Sequence, residues 1–151
     1  MDDLRELYQT TILDHNKAPR NFGVLEGANR EAKGDNPVCG DKIVVTAEVD
    51  DEDRVTDVRF DGKGCAISTA SASLMTEFVK GRKRSEIEET FDRFHELVTG
   101  NPSEHVDAPE LGKLAVFSGV REYPVRVKCA TLCWHTLRAA LDGRGETART
   151  E

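Results

Sequence analysis

Lys42-Ile43-Val44-Val45-Thr46-Ala47-Glu48-Val49, then Asp50-Asp51-Glu52-Asp53, then Arg54-Val55-Thr56-Asp57-Val58-Arg59-Phe60 is the stretch on which the fold turns. Ile43, Val45, Ala47 and Val49 recur at every second position, and Val55, Val58 and Phe60 do so with one slip. That is the period of strands with one face against a core. The four acidic residues between the runs suit a solvated turn, so the two runs predict an antiparallel hairpin.

After the hairpin, Asp61-Gly62-Lys63-Gly64 leads into Cys65-Ala66-Ile67-Ser68-Thr69-Ala70-Ser71-Ala72-Ser73-Leu74-Met75-Thr76-Glu77-Phe78-Val79. This segment predicts a helix starting at Cys65, with Ala66, Ala70 and Ser73 admitting a close neighbour, and Gly81 ends it. Ser85 and Glu88 have capping-box spacing at the start of a charged helix through Ile87, Phe91, Phe94 and Val98, which Gly100-Asn101-Pro102 stops. A short helix is expected from Pro109 to Phe117, then an extended Val125-Arg126-Val127-Lys128, then a helix from Cys129 to Leu141. Before the hairpin, Leu4, Leu7, Tyr8 and Ile12 lie at helical spacing within residues 2–15, and Pro19, Asn21 and Gly23 make His15 to Gly23 a loop. The tail from Gly143 to Glu151 lacks large apolar residues and is expected to fray, leaving one domain over residues 1–142.

Of the 151 residues, 38% are hydrophobic and 32% charged, with a formal net charge of -7. An acidic chain without a basic patch does not fit nucleic acid, and the absence of a basic amphipathic stretch or a long apolar run argues against a membrane partner. Met1 to Glu6 shows no basic region followed by an apolar run, so a soluble, cytoplasmic protein is expected. Its four cysteines should then be reduced thiols, suited to metal binding or catalysis rather than a disulfide framework.

Cys39, Cys65 and Cys129 are far apart in sequence, and no two of the cysteines form a C-x-x-C pair, which excludes zinc ribbons and thioredoxin-like motifs. If they meet, the fold brings them together. Cys65 and Cys129 fall at expected helix starts, where free N–H groups favour a thiolate, and Cys39 lies in the turn-rich Asn36-Pro37-Val38-Cys39-Gly40-Asp41. Three thiolates and the Asp41 carboxylate would suit tetrahedral zinc but leave a negative balance, for which Arg126 and Lys128 are the candidate counter-charges. The plainer alternatives are a buried apolar Cys65, a turn-capping Asp41 and ordinary surface charges at Arg126 and Lys128. For His15, His95, His105 and His135 a structural or solvent role is expected, since none has ligand spacing to a second His or Cys. Spacing alone reaches a metal-thiolate site and no further.

Four segments in order carry a resemblance: Asp14-His15-Asn16-Lys17-Ala18-Pro19-Arg20-Asn21-Phe22-Gly23, Asn36 to Asp41, Gly62-Lys63-Gly64-Cys65-Ala66-Ile67-Ser68-Thr69-Ala70-Ser71, and Arg126-Val127-Lys128-Cys129-Ala130-Thr131-Leu132. Together they resemble the successive signatures of the IscU/NifU N-terminal family of iron-sulfur cluster assembly proteins. The resemblance implies an α+β fold, a small antiparallel sheet with helices packed on one side, and a metal site of Cys39, Asp41, Cys65 and Cys129 at one exposed end. Scaffolds of this family carry His directly before the last cysteine, where this chain has Lys128, and lack the helical stretch from about Gly81 to Asn101. Both features are similar to the SufU branch. That branch implies a zinc protein taking persulfide sulfur from a SufS-type cysteine desulfurase and passing it toward a SufB-type assembly complex. In the implied exchange, a partner His displaces Cys39 from zinc, freeing it as the nucleophile, with Arg126 anchoring the partner or stabilising the thiolate. Cys133, usually a small non-cysteine residue in the family, is expected to fill the core. The alternatives are a [2Fe-2S] assembly scaffold and a zinc-stabilised interaction module. A zinc deaminase is excluded by its missing H-x-E and P-C-x-x-C signatures.

Overall fold

The computed structural model describes residues 2–100, 109–143 and 147–149. In chain order the elements are α1 (Asp2–Lys17), β1 (Arg30–Asn36), β2 (Asp41–Val49), β3 (Val55–Lys63), α2 (Ala66–Val79), α3 (Arg84–Thr99), a 3-10 segment (Pro109–Glu122), α4 (Pro124–Asp142) and β4 (Thr147–Arg149). The sheet order is β3-β2-β1-β4, antiparallel through its first three strands and parallel between β1 and β4. This is the α+β architecture expected from the resemblance.

The hairpin forms as its alternation requires. Ile43, Val45, Ala47 and Val49 are buried, with Val55, Val58 and Phe60 across from them on β3. The slip in the apolar period is a bulge: Glu48 pairs with Asp57 and Val49 with Val55, leaving Thr56 over. Asn29 patches this irregularity, its side chain accepting from Val49 N–H and donating to Val49 C=O.

β1 escapes the sequence reading because Arg-Glu-Ala-Lys-Gly-Asp-Asn carries no β-branched or aromatic residue. Its buried positions are Ala32, Gly34 and Asn36, and their smallness lets α4 lie against the sheet. A Cβ on Gly34 would collide with the Thr136 hydroxyl and come within 2.8 Å of Ile43 Cγ2. The start of α4 corrects a second expectation. Val125 to Lys128 are helical and not extended, and Cys129 lies in the second turn and not at the first residue. Pro124 is the reason, since its fixed φ suits the first helical position and its missing N–H is not needed there. The start of α3 shifts in the same way: Lys83, not Ser85, is the N-cap, and its N–H donates to Glu86 Oε1. The stretch expected as a helix from Pro109 to Phe117 is a 3-10 segment to Glu122, kinked at Gly112. Thr147–Arg149 pair with β1 where the tail was expected to fray.

α2 is knitted to its neighbours by its small polar residues. Ser71 Oγ donates to Ala130 C=O, Ser73 Oγ meets His15 Nδ1 and accepts from Arg20 N–H, and Thr76 Oγ1 accepts from Asn21 Nδ2. The core continues through Phe91, Phe94, Phe117 and Trp134, where α3 and the 3-10 segment meet α4. Ile12 packs against this core; Leu4, Leu7 and Tyr8 lie outside the described side chains, and Asn101, Pro102 and His105 outside the described residues. No helix among the described residues is long and apolar enough to cross a membrane.

Candidate metal centre

Three junctions converge at one end of the sheet: the β1–β2 turn, the β3–α2 connection and the second turn of α4. The β1–β2 turn is closed by the facing pair Asn36 and Asp41 and by Gly40 N–H donating to Asn36 C=O at 2.9 Å. Gly40 has φ 73°, a left-handed conformation that side chains disfavour, and it leaves Cys39 exposed at the tip.

Asp41 is fully buried, and each carboxylate oxygen takes one hydrogen bond. Cys65 N–H donates to Oδ1 at 2.9 Å and Asn36 Nδ2 to Oδ2 at 3.1 Å. Gly64 makes the first bond possible, since a Cβ there would stand 2.6 Å from Asp41 Oδ1. Cys129 is buried, its Sγ 3.3 Å from Cys39 Sγ and 3.6 Å from Asn36 Nδ2.

Ligand atoms of Cys39, Asp41 and Cys129 thus lie within 4.8 Å of one another. Cys65, the fourth expected ligand, is not part of this group: half-buried, its Sγ caps α2 by accepting from Ser68 N–H at 3.4 Å. Burial pushes the Cys129 thiol far above its ordinary range, and the Cys39, Asp41 and Cys65 side chains raise it further. Such crowding of anionic groups is relieved when a divalent cation takes the place of the protons. Tetrahedral zinc with thiolates at about 2.3 Å separates neighbouring ligand atoms by roughly 3.5–4 Å. The 3.3 Å and 4.8 Å limits here bracket that spacing, so the donor set fits zinc.

The counter-charge expected from Arg126 and Lys128 is arranged differently. On a helix these residues are about 200° apart, not on one face. Arg126, exposed, lies nearly one turn before Cys129, and half-buried Lys128 points to another side of α4. Neither forms an ion pair with a described residue. The negative charge is met instead by neutral donors: the Asn36 amide, Cys65 N–H and Ser68 N–H.

Cys133 lies in the core, its Sγ 3.4 Å from Ser71 Oγ, with its thiol pushed up to about 12 by burial. His15 is buried on Ser73, and His135 is half-buried with its ring edge-on to Phe91. Asn36 and Gly64 are the site residues that sequence reasoning missed. Their only signals were an amide ahead of Pro37 and a glycine directly before a cysteine.

A family model described as the NifU-like N-terminal domain matches residues 7–130. The chain is 40% identical over 143 residues to the iron-sulfur cluster assembly scaffold protein IscU of Streptococcus pyogenes serotype M1, an alignment covering 93% of this chain and 86% of that protein. It is 41% identical over 135 residues to the zinc-dependent sulfurtransferase SufU of Bacillus subtilis, covering 89% of each. Among solved structures, a chain described as a candidate scaffold protein for the SUF system of Fervidobacterium islandicum AW-1 superposes with a TM-score of 0.79 at 36% identity, covering 87% of this chain and 93% of that one.

Proposed function

We propose, for a chain that belongs to the NifU-like N-terminal domain family, a zinc-dependent sulfur acceptor that takes persulfide sulfur from a cysteine desulfurase and passes it to the cluster-assembly machinery. One observation carries this reading: an exposed thiol, Cys39, lies 3.3 Å from a fully buried one, Cys129, in a donor group shared with buried Asp41. Asp41, Cys65 and Cys129 are the ligands that would retain zinc, and Cys39 is the one that can leave. A bound zinc ion keeps the thiols deprotonated at neutral pH.

Cys39 then attacks the outer sulfur of the desulfurase persulfide. A bond forms between Cys39 Sγ and that sulfur, the persulfide S–S bond breaks, and the desulfurase cysteine departs as thiolate. In this reading Arg126, exposed and three residues before Cys129, anchors the docking partner or stabilises the freed thiolate. A SufS-type donor, a SufB-type receiver and a cytoplasmic setting complete the reading. The name of the Bacillus subtilis relative supports it, and so does Lys128, which stands where the scaffold pattern has a His.

The second reading is a [2Fe-2S] scaffold, favoured by the names of the Streptococcus and Fervidobacterium relatives. Metal analysis separates the two: one zinc and no visible absorption supports sulfur transfer, a brown iron-loaded protein supports scaffolding. After incubation with a SufS-type desulfurase and cysteine, the Cys39 peptide should gain about 32 Da, one sulfur atom. Cys39→Ala should abolish the gain and the stimulation of the desulfurase, and Cys133→Ala should keep both, with zinc content measured on each. A gain confined to the Cys129–Cys133 peptide would make Cys39 a ligand only. Zinc bound without any sulfur uptake would leave an interaction module.

A further inference from the structure

We infer that Asn36 is a positioning residue of the metal centre, its buried carboxamide fixing Asp41 and Cys129 in place and drawing off part of the negative charge they present to a divalent cation. The inference rests on the metal reading above. Asn36 is the last residue of β1, faces Asp41 in the sheet register and is fully buried. Its Nδ2 lies 3.1 Å from Asp41 Oδ2 and 3.6 Å from Cys129 Sγ, so one NH2 group has a hydrogen for each of two ligand atoms.

The orientation of the amide is not free. Turned over, Oδ1 would face a carboxylate and a sulfur; as placed, Oδ1 is buried with no hydrogen-bond partner among the described residues. A buried acceptor left unpaired is costly, and an apolar side chain of the same shape would avoid the cost. The turn does not ask for this side chain, because its closing bond from Gly40 N–H uses the backbone carbonyl of Asn36. What only the amide supplies is the pair of donors. Hydrogen bonds to ligand atoms orient them and tune the metal they hold, and losing one such partner weakens metal binding roughly ten- to a hundredfold.

Asn36→Leu keeps the shape and removes both donors. Zinc affinity by chelator competition and the absorption spectrum of the cobalt(II)-loaded protein are measured on it and on the wild type, with melting of the metal-free proteins as the folding control. The expected result is a ten- to hundredfold loss of zinc affinity and a shift of the sulfur-to-cobalt charge-transfer band to longer wavelength, because a thiolate relieved of its hydrogen bond is a stronger electron donor. A residue needed only for folding would lower the metal-free melting temperature and leave the band of the folded fraction in place. Should Asn36→Leu not fold, Asn36→Ser, which keeps one donor, gives the same comparison with an intermediate loss expected. Unchanged affinity and spectrum in the folded variant overturn the inference alone. A wild-type protein that binds neither zinc nor cobalt overturns the metal reading and this inference with it.

Discussion

Gly64 has room for a hydrogen and nothing larger, because Asp41 Oδ1 already fills the place of a Cβ. Gly64→Ala should therefore push the Asp41 carboxylate off Cys65 N–H and weaken zinc binding by at least about tenfold, the scale seen when such supporting contacts are lost. Chelator competition reads this directly, and an unaltered affinity would show that Asp41 is not a ligand. The contrast with the cysteines explains what could be read from the chain. Cys39, Asp41, Cys65 and Cys129 carry their chemistry in their residue type, so four signatures in order were enough to make them candidates. Gly64 and Asn36 act by position. Which carboxylate oxygen each one meets depends on the register of β1 against β2 and on the entry of α2, and neither is written in local spacing.

Between residue and molecule, the elements show where periodicity succeeds and where it fails. β2 and β3 were legible because their apolar residues alternate, down to the slip that became a bulge. β1 was not, because its contribution is smallness at Gly34 and Ala32, and a strand chosen for what it omits has no hydrophobic period. α4 was misjudged at its start, where β-branched Val125 and Val127 suggested a strand and Pro124 set a helix. If the absence of a His directly before Cys129 is what disfavours a cluster, Lys128→His should raise the yield of [2Fe-2S] cluster on anaerobic reconstitution. Equal yields would detach the choice between zinc and cluster from this residue. The α1–α2 contact has its own signature. His15 is buried, and burial holds its pKa below the ordinary 6.5. Ser73 Oγ, which accepts from Arg20 N–H, lies 2.7 Å from His15 Nδ1 and ties α1 to α2. A basic group with a depressed folded pKa leaves stability intact above its unfolded pKa and subtracts from it as pH falls below that value. Stability should therefore decline from about pH 6.5 downward. His135, also depressed by burial, adds to the decline, whereas the Arg20-bound Asp14 carboxyl contributes only near and below its ordinary 3.8. Urea midpoints between pH 7 and 5.5 should fall less in His15→Gln than in the wild type; parallel curves would mean that His15 does not titrate on unfolding.

At the scale of the whole molecule, the proposed site ties together β1, β2, the start of α2 and α4, so metal occupancy and global stability should move together. A ligand present at about a thousand times its Kd adds about 4 kcal/mol, which for a chain of this size raises the melting temperature by roughly 10 °C. A chelator should remove that increment from the wild type, and Cys129→Ser or Cys65→Ser should have little left to lose; full zinc retention in both variants would refute the assigned ligands. The sheet carries one more consequence. At its outer side β3 is bonded at Phe60 by Asn21 and Gly23 and at Val55 by Gly81 and Arg82, while β4 runs along β1 at residues 33–35. Row upon row of unpaired N–H and C=O groups is what lets one chain zip onto another and nucleate aggregates. Here loops take up the outer backbone of β3 at Val55 and Phe60, and β4 covers β1 at residues 33–35, so a protein whose proposed work is repeated collision with partners shortens the free backbone on each margin while it holds out a cysteine-bearing tip.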